Sequence, residues 1–147
     1  TTRDGGQTAK AIAAQVEATE AELIAQGGAN AAAVAKKLKA ARLAFIDVVE
    51  FIVANGRSNP NAAFAGSVPY LMLAGNLMAG WQLARALLVA EAALASGDCG
   101  DFGPTFMQAK ITTARFYADH ILTRAPGVRD AIVEGAGSVT ELPLEAF

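Results

Sequence analysis

The sequence predicts an all-α protein: an up-down antiparallel four-helix bundle with a short fifth helix and an irregular C-terminal tail. Three observations carry that expectation. Apolar residues recur at alternating spacings of three and four along several long segments, the mark of a helix with one buried face. Alanine, the strongest helix former, supplies much of an apolar content that reaches 53%. No run alternates apolar and polar residues as a half-buried strand would.

The first helix is expected from Gln7 to Gln26, with Ala9, Ile12, Val16, Thr19 and Leu23 on its apolar stripe and Glu17, Glu20 and Glu22 mostly off it. Gly27-Gly28 ends it, because glycine takes a left-handed backbone at little cost. Asn30 reads as the N-cap of the second helix, its side chain able to accept a backbone N–H. Val34, Leu38, Ala41, Phe45, Val48 and Ile52 then keep the clearest periodicity in the chain, and Asn55-Gly56 closes the helix. The short link makes these two helices an antiparallel hairpin.

Residues 57–67 are polar around Asn59-Pro60-Asn61 and read as a loop. The third helix is expected from Ser67 to Ala95, with Pro69 in the first turn, where a missing N–H costs nothing. It is apolar on nearly every side through Leu83, which predicts the most buried helix of the bundle and makes Trp81 a core anchor. Asn76, Gln82, Arg85 and Glu91 interrupt it too often for a membrane span. After a glycine-rich turn from Gly97 to Gly103, the fourth helix is expected from Pro104 to Thr123. It carries two stripes: Met107, Ile111, Ala114, Ala118 and Ile121, and beside them Phe106, Thr113, Phe116 and His120. Two stripes imply contacts on two sides. Pro126-Gly127 ends that helix, a short fifth follows from Val128 to Glu134, and residues 135–147 form the tail.

A chain of 147 residues is one domain by length and buries roughly 70% of its unfolded surface. The net charge of -2 gives no electrostatic case for nucleic acid. The first residues, Thr1 to Gly6, have no apolar run and no signal-peptide character. The single Cys99 has no cysteine to pair with, which fits a reducing, cytoplasmic setting.

No residue set assembles into chemistry. His120 is the lone histidine, and Asp119, next to it, projects about 100° away on a helix; the expectation is a partly buried, hydrogen-bonded ring. Cys99 sits between Asp98 and Asp101, which oppose a reactive thiolate. Gly5-Gly6, Gly27-Gly28 and Gly97-Asp98-Cys99-Gly100 follow no strand and lack the spacing of nucleotide-binding loops. Lys36, Lys37, Lys39 and Arg42 are expected to form a solvated basic face. Arg115 and Asp119 stand at i, i+4 and can pair. Arg85, in the most apolar helix, should snorkel or find a carboxylate; Glu91 is not on its face. Catalytic, cofactor-binding and metal-binding residues are therefore none.

Two segments carry a resemblance. Val68-Pro69-Tyr70-Leu71-Met72-Leu73-Ala74-Gly75, continuing to Gly80-Trp81, and the stretch from Ala109 to Leu122 with Lys110-Ile111-Thr112-Thr113-Ala114-Arg115-Phe116-Tyr117 resemble the C-terminal extension of long-form acyl-CoA dehydrogenases, the methylmercaptopropionyl-CoA dehydrogenase-like group. Arg3-Asp4-Gly5-Gly6 and Leu142-Pro143-Leu144-Glu145-Ala146-Phe147 are similar to that extension's ends. A basic residue and an aromatic are common in the family where Met72 and Ala74 stand. The resemblance implies that residues 1–147 are the C-terminal domain of a larger flavoprotein. That parent would use FAD to take two hydrogens from the α and β carbons of an acyl-CoA. Its catalytic glutamate would lie in a preceding domain, and no glutamate here matches that motif. The resemblance implies that the segment packs on the catalytic core and helps shape the dimer or the acyl pocket of the parent, a homodimer, with acyl-CoA as a partner through the parent. The alternatives are an unrelated helical interaction module or a peripheral membrane element, for which the second helix is the candidate.

Overall fold

The computed structural model describes residues 1–139 and 141–146. Thr140 and Phe147, both in the expected tail, lie outside the described residues. Six α-helices follow one another: α1 (Gln7–Gln26), α2 (Ala29–Asn55), α3 (Pro60–Ala65), α4 (Ser67–Ser96), α5 (Gly103–His120) and α6 (Ala125–Val133). Among the described residues there is no strand, and the tail holds two short 3-10 turns, Gly137–Val139 and Leu144–Ala146.

The long helices form an up-down bundle whose directions are fixed by named contacts. α1 and α2 are antiparallel, with Lys10 bonded to Glu50 and Arg42 to Glu20. α4 runs parallel to α1, since Tyr70 meets Thr1, Trp81 meets Thr19 and Gln26 meets Glu91. α5 runs parallel to α2, as Arg115 reaches Asn30 and Lys37 reaches Thr123. Within the bundle, Val16, Leu23, Val34, Leu38, Val48, Leu77, Leu87 and Leu122 are almost wholly buried.

The central helix is α2, not the more apolar α4 expected from the sequence. α2 packs against α1, α4, α5 and α6, and Phe45 stacks on Tyr70 of α4 with centroids 5.9 Å apart. α4 buries Leu73, Leu77, Ala84 and Leu87 on one side only, while Val68, Leu71 and Val89 on the other are 73%, 72% and 67% exposed. Apolar residues all round a helix make burial favourable everywhere, but covering all of them takes neighbours on all sides, and this chain supplies neighbours for half of α4.

Smaller differences have local causes. α2 starts at Ala29 behind Gly28, whose φ of 86° lets the chain turn at once. Asn30 therefore sits inside the first turn and accepts from Arg115 instead of capping. Within the expected loop, Asn59 accepts the Ala62 N–H and Pro60 opens the short α3, a capped start with proline at N1. The fourth expected helix ends at His120, and a 3-10 turn, Leu122–Arg124, leads into α6. Pro126 thus begins a helix where it was expected to end one.

Candidate functional site

The most consequential polar group is buried between α1 and α2. Arg42 Nε donates to Glu20 Oε1 at 2.8 Å and Arg42 Nη2 to Glu20 Oε2 at 2.9 Å, with side chains only 7% and 6% exposed. Arg42 Nη2 also donates to the exposed Glu17 at 3.0 Å. The hydrogen bonds that Arg42 donates to Glu20 hold the guanidinium above its ordinary range, against a smaller opposing effect of burial. Arg42 is therefore not part of the solvated basic face assigned to it. The fork of the guanidinium matches both carboxylate oxygens, so the pair locks the register of the α1/α2 hairpin. Glu20 also borders a groove of about 300 Å³ with Ile24, Lys36 and Lys39, but both of its oxygens are taken up by Arg42, so the pair's chemistry is structural.

The singled-out residues do not converge. His120 is exposed, not partly buried, and its ring lies against Phe116 with centroids 4.4 Å apart. Cys99 is buried, with its sulfur 3.8 Å from the Ala93 carbonyl. Arg115 pairs with Asp119 at 2.7 Å, the expected i, i+4 bridge. Arg85 snorkels over the Trp81 ring, 5.8 Å from its centroid, and donates to Gln82; among the described residues it does not reach a carboxylate. Trp81 is half-buried, and its indole N–H donates to the buried Thr19 hydroxyl at 2.8 Å. Among the described residues no group of His, Cys, Asp and Glu is placed to hold a metal ion.

What the structure does assemble is a surface. The outward side of α4 and the second stripe of α5 flank one seam, across which the Tyr117 hydroxyl donates to the Asn76 carbonyl at 3.4 Å; burial pushes that phenol's pKa up. α5 does make contacts on two sides, with α4 and α2, but Phe106 and Phe116 of the second stripe stay exposed, so that stripe does not provide them. At one end the seam opens into a groove of about 470 Å³ bordered by Val89, Phe102, Phe106, Arg85 and Lys110. There the Phe102 and Phe106 rings stack at 4.7 Å and Lys110 sits over Phe106 at 4.8 Å. The signal for this face was present in the sequence as the two stripes and the all-round apolarity of α4, read there as internal packing.

The chain is 44% identical over 137 residues to 3-methylmercaptopropionyl-CoA dehydrogenase of Ruegeria pomeroyi, a match that covers 93% of this chain and 22% of that protein. It is 38% identical over 82 residues to the broad-specificity linear acyl-CoA dehydrogenase FadE5 of Mycobacterium tuberculosis, covering 56% of this chain and 13% of that one. The chain thus spans about a fifth or less of the length of these relatives. Residues 9–143 match the family described as acetyl-CoA dehydrogenase C-terminal like. With nearly all of its residues inside that match, the chain belongs to the acetyl-CoA dehydrogenase C-terminal-like family.

Proposed function

We propose that these 147 residues are the C-terminal helical domain of a larger FAD-dependent acyl-CoA dehydrogenase and play a structural, interdomain part in it. The match to dehydrogenases over 93% of the chain but 22% of the relative carries this reading. The parent oxidises an acyl-CoA to the 2-enoyl-CoA, with FAD taking up the hydrogens, in fatty-acid metabolism in the cytoplasm.

The glycine turns of this domain do not have the form of a dinucleotide-binding loop. The positive-φ glycines Gly27, Gly28, Gly97 and Gly103 end or open helices, and a dinucleotide loop needs a strand before it and a helix after it. By length and composition α4 could span a bilayer. Yet Gln82 and Arg85 interrupt its outward side, and its other side packs on α1, α2 and α5, which favours a protein neighbour over lipid.

The test is expression of the whole dehydrogenase gene and of a version lacking this domain. The 147-residue chain alone should purify colourless and reduce no electron acceptor with any acyl-CoA. The whole enzyme should carry flavin and turn over, and removal of the domain should lower its stability or activity. Stoichiometric flavin on the 147-residue chain would overturn the reading.

A further inference from the structure

The α4/α5 face has the pattern of a helix-packing surface without its helix. On α4, Val68, Leu71, Gly75, Met78, Gln82 and Val89 recur at spacings of three and four, with Arg85 completing the series. Such a stripe is one face of a helix, repeated as in a two-helix seam. In the thirty residues of α4 the charged ones are Arg85 and Glu91, and Glu91 is engaged by Gln26 of α1. The α1/α2 side, by contrast, carries Lys10 paired with Glu50, and Glu17 and Arg42 together. The α1/α2 side exposes Ile24, Leu43 and Val53 singly among charged residues, whereas the outward stripe of α4 carries Arg85 as its one charge.

Three observations say what covers the apolar side. The first is chain length: the relative sharing 44% identity carries this domain as 22% of itself, so a much larger body belongs beside it. The second is Gly75. Glycine in a helix interior is unfavourable, and an added Cβ at Gly75 would meet nothing within 4 Å, whereas at Gly80 of the same helix it would strike Leu122. Gly80 lets a neighbour within this chain come close, and Gly75 leaves the same kind of clearance on the outer side. The third is charge. Arg85 and Lys110 border the groove at the end of the seam, and neither has a carboxylate partner among the described residues.

We infer that the outward side of α4 (Leu71, Gly75, Val89) together with the exposed stripe of α5 (Phe116) docks on the catalytic core of its own dehydrogenase chain, against a helix lying along α4 that offers a carboxylate to Arg85 and Lys110. The inference rests on the reading of this domain as one part of a larger chain. A bilayer is the poorer occupant because Gln82 and Arg85 lie in the stripe itself, not at its rim.

Hydroxyl-radical footprinting of the whole dehydrogenase, read residue by residue by mass spectrometry, tests this. Phe116 and Phe64 have the same ring chemistry and are both 59% exposed in this domain, so they calibrate each other. In the whole enzyme Phe116, Leu71 and Val89 should lose most of their oxidation while Phe64 and Ile24 keep theirs. Leu71→Glu with Val89→Glu, both at exposed positions, should restore oxidation at Phe116. Protection that appears only at concentrations where copies associate would assign the face to a second copy and overturn the inference. Protection that needs phosphatidylcholine–phosphatidylglycerol vesicles would overturn it in favour of lipid. Protection of Ile24 and Val53 with Phe116 left reactive would overturn the choice of face and leave the interdomain reading standing. No new protection anywhere, in an enzyme indifferent to removal of the domain, would overturn both.

Discussion

Arg42 and Glu20 form a two-pronged ion pair that is almost wholly shut off from water, with both carboxylate oxygens of Glu20 engaged at 2.8 and 2.9 Å. Two charges in a dry interface hold each other in place, and either one alone is a liability. Arg42→Ala should therefore destabilise the domain by about 3–5 kcal/mol, because Glu20 is left buried and unpaired. Arg42→Met combined with Glu20→Leu should recover most of that loss, since two apolar chains of similar volume need no partner. Denaturant melts of the two variants beside the unaltered chain check this. A double variant no more stable than the single would show that the guanidinium also holds up something other than Glu20.

Two glycines of α4 should respond to the same substitution with opposite signs. Gly75 faces open space and is helical, so Gly75→Ala should stabilise the isolated domain by about 0.5–1 kcal/mol through helix propensity. At Gly80 the new methyl would come within 2.7 Å of both terminal carbons of Leu122 and 3.0 Å of its Cγ. Leu122 is itself buried and has little room to yield, so Gly80→Ala should cost about 1–3 kcal/mol by overpacking. Thermal melts of both variants decide it, and equal signs would contradict the placement of the two faces.

Trp81 and Thr19 tie α4 to α1 through one hydrogen bond of 2.8 Å. Trp81→Phe keeps most of the ring and loses the donor, which should cost about 1 kcal/mol. A double-mutant cycle with Thr19→Val should return a coupling of similar size, about 0.5–1.5 kcal/mol. Because Trp81 is half-buried, its emission in the folded chain should lie between that of a core and that of a solvated indole. A coupling near zero would mean that the bond is not held in solution.

Asp4 links pH to the start of α1. Its carboxylate accepts from the Thr8 side chain and from the backbone N–H groups of Thr8 and Gly6, which lowers its pKa from 3.8 to about 2. A depressed carboxylate stabilises the fold fully above the unfolded value, and that contribution disappears as pH falls through the folded one. The first turn of α1 should therefore be fully formed above about pH 4 and loosen as pH falls toward 2. Carboxyl carbon shifts of Asp4 followed by NMR should titrate near the lower value. Asp4→Asn should flatten the pH response of the Gly6 and Thr8 amides.

Local physics was enough to place the long helices. The α1 limits of Gln7 and Gln26 follow from an apolar stripe closed by Gly27-Gly28, and α2 ends at Asn55 beside Gly56 as its pattern implies. The spacing of Arg115 and Asp119 likewise identified their ion pair, because an i, i+4 distance is set by the helix itself.

Tertiary structure alone decided which faces meet. Arg42 belongs by sequence to a basic run with Lys36, Lys37 and Lys39, and only the crossing of α2 on α1 turns it inward to Glu20 while Lys36 and Lys39 stay exposed. Periodicity reports that a helix has an apolar face but not how many neighbours exist to cover it. That is why α4, the more apolar helix, lies at the edge and α2 at the centre. A stripe such as Phe106, Thr113, Phe116 and His120 reads the same along the chain whether its neighbour lies within these residues or beyond them. Burial is a property of where separate segments come together in space.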